Sequence, residues 1–407
     1  MTAGRYATAL LSRIRSGSRP EEGGAAIDPL AVEAEVHESA AGKAGFANFG
    51  DDDYRPGLRQ LLGSIAASRY SARQQRVIVA GGIELLLVGR LYSERGWLQD
   101  PECLRNRIEA PLIICGLPRS GTTALHKLLS IDRRFQGLEA WLSIYPMPRP
   151  PRARWASMPE HQAVAGMFER MNAASGVYSS AHHRDADEVD ECLWLLGQSF
   201  VSNQFPAAFE LPDFDAWFRA QSQLPAYQRF ANNLRLIGAN EPTKPWLLKN
   251  PGHLTALDAL LDTFPDARIV QTHRHPAAAL ASLVSLLAAA RKTALGPSVP
   301  VDGILRREVD YWSEATRNAM RVREQRRANV ADVLYGDFVT DPLRSVRAIY
   351  DAFGLDLSTA TVSDMQAWID RNPADKHGTH AYGGLPQAVS HEVQDSFGDY
   401  IERFDLA

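Results

Sequence analysis

The 407-residue sequence predicts an α/β fold: a P-loop-type parallel sheet flanked by helices, with N-terminal helices and a mainly helical insert. Three observations predict it. The apolar run Pro111-Leu-Ile-Ile-Cys-Gly116 enters a short loop, Leu117-Pro-Arg119-Ser-Gly121, that opens directly into a helix. Strand, helix and strand then alternate again at Pro245–Lys249, Thr255–Phe264 and Arg268–Thr272, the order of parallel strands joined by right-handed crossovers. Between these two halves, residues 135–240 are spaced for helices and loops rather than for a sheet.

Taken in order, residues 1–50 are rich in Gly, Ala, Ser and Glu, show one short helical pattern at most, and read as a partly flexible N-terminal segment with a connection at Ser16–Gly24. In 51–109, leucines, isoleucines and valines recur at helical spacing from Leu58 to Leu98, which predicts two amphipathic helices packing on the core. The α/β domain spans 110–407, with the insert at about 135–240. Residues 135–230 hold 15 of the 35 aromatic residues. Trp141, Tyr145, Trp155, Phe168, Tyr178, Trp194, Phe205 and Trp217 therefore read as a helical core, some of it lining an apolar ligand pocket. Pro276 to Ala290 is an alanine- and leucine-rich helix, with His275 at its cap and Pro276 at its first position. Val330–Phe338 reads as a strand, Asp341-Pro342 opens a helix, and a polar loop from Asn372 precedes a final helix.

Composition narrows the class. With 45% hydrophobic and 23% charged residues the chain is an ordinary soluble globular sequence, and a net charge of −4 argues against nucleic-acid binding. Three cysteines without C-x-x-C spacing give neither a disulfide framework nor a zinc site. No run is read as approaching the ~18 apolar residues of a membrane helix, and Tyr6–Leu11 is too short and mixed for a signal peptide. The expectation is a cytoplasmic protein without membrane insertion. Only 6 of the 44 basic residues are lysines, so a lysine at a motif position is informative.

The loop after the first strand is built to cradle an anion, because successive backbone N–H groups and the positive end of the helix converge there. Four residues separate Gly116 from Gly121, as in G-x-x-x-x-G-K-[ST], but Thr122 stands where nucleotide triphosphatases carry lysine. What remains is Arg119 inside the loop and the hydroxyls of Ser120, Thr122 and Thr123, a set suited to a smaller terminal anion.

Leu117-Pro-Arg-Ser-Gly-Thr-Thr123 resembles the 5′-phosphosulfate loop of sulfotransferases that use 3′-phosphoadenosine 5′-phosphosulfate (PAPS), in particular the bacterial branch that reads Pro-Arg-Ser-Gly-Thr-Thr. The likeness runs from about residue 60 to the C-terminus and includes Tyr335-Gly-Asp-Phe, the His377–Tyr382 loop and Phe397-Gly-Asp-Tyr. It implies PAPS as donor, adenosine 3′,5′-bisphosphate (PAP) as product, no required metal, and a small-molecule acceptor. In that family an arginine at a strand end and a serine eight residues on grip the 3′-phosphate, and Arg274 and Ser282 match that spacing. The resemblance assigns the donor to Arg119, Ser120, Gly121, Thr122, Thr123, Arg274, Ser282 and the loop residues Lys376, His377 and Gly378.

Sulfuryl transfer needs cations on the leaving phosphate and a base for the acceptor proton. Arg119 and Lys249 are the candidate cations; Lys249 matches a lysine of Lys-Asp-Pro type motifs, although Asn250 follows it here. Glu139 lies where several sulfotransferase branches place a catalytic glutamate. The alternative source of the base is the cluster His182, His183, Asp187 and Glu191, read as one helix face with His183 and Asp187 four apart. That cluster also has the composition of a metal site, which the reaction does not require. His273 precedes the 3′-phosphate arginine and so occupies a different place from the histidine base of animal enzymes. Two rivals stand beside this reading: a P-loop small-molecule kinase, which would need lysine at position 122, and a non-catalytic nucleotide-binding protein of the same fold.

Overall fold

The computed structural model describes residues 25–174, 184–373 and 387–406. Helix α1 (Pro29–Ala44) starts at Asp28, whose side chain accepts from Leu30 N–H, and ends at Gly45 in the left-handed conformation. It packs along α4 (Glu84–Gln99). Its buried Glu33 binds Arg55 at 2.7 Å and Arg59 at 2.8 Å, both on α2 (Arg55–Ala67). Within the segment expected to be partly flexible, Pro29–Ala44 is thus a packed helix of 16 residues, longer than the one short pattern expected, while residues 1–24 lie outside the described residues. The two helices predicted for Leu58–Leu98 form, the second as α3 (Ala72–Ile78) continuing through a π-helical turn at Val79–Ile83 into α4.

The sheet has five parallel strands in the order β2-β3-β1-β4-β5: β1 (Leu112–Gly116), β2 (Gln136–Gly137), β3 (Trp246–Lys249), β4 (Arg268–His273) and β5 (Val330–Leu334). β1 is central, with Leu112 opposite Leu247 on β3 and opposite Arg268 on β4. It reads as unbroken apolar sequence because both of its faces are covered. Ile113 and Cys115, with Leu248 and Ile269, join the core shared with α2, α4 and the insert. Leu112, Ile114, Leu247, Val270 and Val333 face α5 (Thr122–Leu129) and the C-terminal helices.

The insert is helical as expected: α6 (Ala140–Ile144), α7 (Pro159–Ala174), α8 (Leu193–Gly197), α9 (Gln204–Ala208), α10 (Pro212–Arg219) and α11 (Leu224–Ile237). It begins inside the sheet, however, because β2 pairs with β3. α12 (Leu257–Thr263), α13 (Pro276–Leu295) and α14 (Ile304–Arg326) follow. The strand expected over Val330–Phe338 stops at Leu334, and Tyr335 turns into α15 (Tyr335–Thr340). α16 (Pro342–Ala352), capped by Asp341, then α17 (Thr359–Arg371) and α18 (Gln387–Arg403) complete the chain.

α13 is long and apolar enough to cross a membrane by length and composition, contrary to the sequence expectation. Its residues Ala279–Leu283 are buried in the protein, and Arg291 near its end is buried with hydrogen bonds to the carbonyls of Ala208 and Pro300.

The connections leaving β1 and β4 diverge, toward β2 on one side and β5 on the other, although the two strands are neighbours. Open parallel sheets bind ligands in the crevice beyond the carboxyl ends of such a strand pair. The loop after β1 and Arg274 after β4 both lie there.

Candidate active site

Gly116 ends β1 at φ +143°, so close to Thr272 of β4 that a Cβ would collide with its carbonyl and hydroxyl oxygens. The Ser120 hydroxyl donates to Leu117 O at 2.5 Å and bonds Thr272 Oγ1 at 2.6 Å. This buried pair fixes the loop to β4, so the Ser120 side chain is engaged inside the scaffold rather than at the loop mouth. Arg119 (φ +69°) and Gly121 (φ +91°) take left-handed backbone, and Gly121 caps α5. The first turn of α5 carries the N–H groups that have no partner within a helix.

Arg274 comes from the end of β4, donating from Nη1 to Arg119 O at 2.8 Å, with its guanidinium 4.2 Å from the Tyr335 ring centroid. The same ring backs the loop, since a Cβ on Gly121 would come within 3.2 Å of it. Arg119 Nε donates to Ser282 Oγ at 3.1 Å. Three residues assigned to the donor, Arg119 from the first half of the sequence and Arg274 and Ser282 from the second, are therefore one hydrogen-bonded constellation. Sequence reasoning missed Thr272 and Tyr335. The first carries no motif signal, and the second was visible within Tyr335-Gly-Asp-Phe without a role.

Lys249, at the end of β3, is 2% exposed. Its Nζ donates to Glu191 Oε1 at 2.7 Å and to Thr123 Oγ1 at 3.2 Å. His126 of α5 and His253, just past β3, are buried nearby, and both have their pKa pushed down to about 3, first by burial and then by the Lys249 charge. Both are neutral, so Lys249 brings the positive charge and Glu191 is its carboxylate partner.

Residues 184–192 are not the helix expected from the spacing of His183, Asp187 and Glu191. The Asp185 side chain accepts from Asp187 N–H, closing a turn, and Val189 then forms an antiparallel bridge with Glu139. Asp187 turns away to His161 (2.5 Å) and Arg152 (3.3 Å). Glu191 is held on both sides of the chain, by Asp190 N–H to Leu138 O at 2.9 Å and Cys192 N–H to Lys249 O at 3.0 Å. Glu139 accepts from Arg149 Nε at 3.1 Å, and Arg149 also binds Gln136 and the Gly137 carbonyl. His182, His183, Lys376, His377 and Gly378 lie outside the described residues, as does Tyr178. Trp141, Trp155, Phe168 and Phe205 are buried in the core, while Tyr145, Trp194 and Trp217 are partly buried against it. His273 is buried between Asp332 (2.8 Å) and Tyr400 (2.9 Å).

A model of the sulfotransferase family matches residues 111–359. The crystal structure of sulfotransferase STF1 from Mycobacterium tuberculosis H37Rv is 35% identical, covering 90% of this chain and 98% of that one with a TM-score of 0.78. Sulfotransferase STF9 from Mycobacterium avium shares the fold at 24% identity and a TM-score of 0.82, covering 92% of this chain and 97% of that one. A curated relative from Mycobacterium bovis, omega-hydroxy-beta-dihydromenaquinone-9 sulfotransferase Stf3, is 22% identical over 73% of this chain and 75% of its own length. The chain belongs to the sulfotransferase family.

Proposed function

We propose that this protein transfers a sulfuryl group from PAPS to a hydroxyl, or an amine, of a small and partly apolar acceptor in the cytoplasm, without a metal. The observation that carries the reading is the meeting of Arg119, Arg274 and Ser282 at the crevice between β1 and β4. Two guanidiniums and a helix N-terminus there suit a donor with two separated anionic groups. Arg274 and Ser282 would take the 3′-phosphate. Arg119 and the N–H groups of Gly121, Thr122 and Thr123 would take the phosphosulfate, with Lys249 placed for the leaving oxygen. Lys376, His377 and Gly378 are proposed to complete the donor site. The acceptor named in the mycobacterial relative, a hydroxylated dihydromenaquinone, is of the alcohol class proposed here.

The sulfur–oxygen bond to the 5′-phosphate breaks as the acceptor oxygen bonds to sulfur, and the electron pair leaves on the phosphate. The enzyme's contribution is alignment and electrostatic stabilisation of that developing charge. The test is direct. PAP should raise the melting temperature more than ATP with magnesium does, and mass spectrometry on a panel of alcohols, phenols, sugars and amines incubated with PAPS should find an added sulfo group. Stronger stabilisation by ATP with magnesium would favour a kinase, and PAP binding without transfer to any acceptor would leave only a nucleotide-binding protein.

A further inference from the structure

We infer that Glu191 is the general base that removes the acceptor proton. The inference rests on the sulfuryl-transfer reading above and names a residue that reading leaves open. Three carboxylates were candidates, and their partners separate them. Asp187 is engaged by His161 and Arg152 on the far side of its turn. Glu139 is paired with Arg149, a residue tied to the start of the insert. Glu191 alone among the three shares a cation with the loop, since Lys249 Nζ bridges its Oε1 and Thr123 Oγ1.

Position and access both fit the role. A base must stand across the transferred sulfur from the leaving oxygen, within a hydrogen bond of the acceptor hydroxyl. Lys249 Nζ lies 3.2 Å from Thr123 Oγ1 in the first turn of α5, and Glu191 Oε1 lies 2.7 Å from the same nitrogen. The Glu191 side chain keeps 21% exposure while that of Lys249 keeps 2%, so an acceptor can reach the carboxylate but not pass behind the lysine. Lys249 occupies Oε1, which leaves Oε2 to accept a proton. Backbone bonds on either side of Glu191 fix its approach, which lowers the cost of orienting it for reaction. In the step itself the acceptor O–H proton passes to Glu191 as the oxygen–sulfur bond forms, the bond to the 5′-phosphate breaks, and PAP departs. The proton is then lost to solvent.

Among the described residues, Lys249 from β3 bonds the Glu191 carboxylate, Asp190 accepts from the Glu191 main-chain N–H, and neutral His126 from α5 and His253 lie near the lysine. In the full-length protein, Glu191→Gln should lower turnover on an aliphatic alcohol by roughly 10²–10⁴-fold while changing PAP affinity less than about threefold. The loss should shrink with acidic phenols, which ionise with less help, and the acid limb of the wild-type pH–rate profile should disappear. Glu139→Gln, assayed in parallel, should keep that limb. Near-normal turnover of Glu191→Gln on the alcohol overturns the assignment. So does a loss that is equal for all acceptors and accompanied by weak PAP binding, which would make Glu191 a mere anchor for Lys249. Absence of any transfer by the wild type would instead remove the sulfotransferase reading itself.

Discussion

Arg274 Nη1 donates to the main-chain carbonyl of Arg119 at 2.8 Å, joining residues 155 positions apart. An arginine expected to bind one phosphate thereby also holds the backbone of the loop proposed to bind the other. Arg119 is in the left-handed region at φ +69°, a conformation that costs on the order of 1–3 kcal/mol and persists only where its surroundings enforce it. Arg274 and the Ser120–Thr272 pair are the bonds that enforce it.

Arg274→Ala should therefore act on both phosphate sites. PAP affinity should fall by roughly 10–100-fold, the scale of a lost charge-assisted hydrogen bond, and turnover at saturating PAPS should fall as well because the loop relaxes. Ser282→Ala, which removes only the hydroxyl that Arg119 Nε meets, should weaken PAP binding by less than about tenfold. Calorimetric titration with PAP and steady-state kinetics measure the two effects. A pure affinity loss in Arg274→Ala would show that the carbonyl bond does not hold the loop.

Lys249→Met tests the second cation. The substitution keeps length and apolar character in a buried position but removes the charge near the leaving oxygen, so turnover should fall by roughly 10²–10³-fold. Glu191 keeps access to water, so the folded protein should survive and still bind PAP. Lys249→Arg should not rescue it, since a planar guanidinium does not fit the place of a 2% exposed ammonium group. Turnover of Lys249→Met within threefold of wild type would move the leaving-group role to Arg119 alone.

Gly116→Ala tests the joint between loop and sheet. The positive φ and the contact with Thr272 act together, and the obstacle is strand backbone that cannot swing aside. The variant should lose more than about 3 kcal/mol of stability in denaturant unfolding. Gly121→Ala, where the neighbour is the edge of the Tyr335 ring, should lose less. Equal stability of Gly116→Ala and wild type would mean that β1 and β4 can separate freely.

The parts that were legible in the sequence are those whose physics is local. β1, its loop and α5 follow from an apolar run and glycine placement, whereas the shared role of Arg274 and Ser282 came only from the family resemblance, and the two residues are linked here through Arg119. β2 was not legible, because two residues carry no periodicity and pair only through β3. The turn at 184–188 looked helical because charged residues spaced four apart say nothing of Asp185, whose side chain competes for the backbone. The Lys249–Glu191 contact spans 58 residues and depends on how the insert folds back, which no spacing rule encodes.

Acid should destabilise the protein earlier than its carboxylates alone would dictate. His126 and His253 are buried, and each has a folded-state pKa pushed down to about 3 by burial foremost and then by Lys249. In the unfolded chain both titrate near 6.5. Between those values the unfolded state binds protons that the folded state refuses, so stability is fully present above pH 6.5 and declines as pH falls toward 3. Each such histidine contributes up to roughly 1.4 kcal/mol per pH unit in that window. His37, His273 and His275 are shifted in the same direction and add to the slope. His126 is the cleaner probe, because its ring nitrogens sit without well-formed hydrogen bonds and a leucine there would give up only a weak contact with the Leu247 backbone. Urea unfolding between pH 7.5 and 5 should show His126→Leu losing about one proton's share of the wild-type slope. An unchanged slope would mean that His126 takes up a proton in the folded protein as readily as in the unfolded chain.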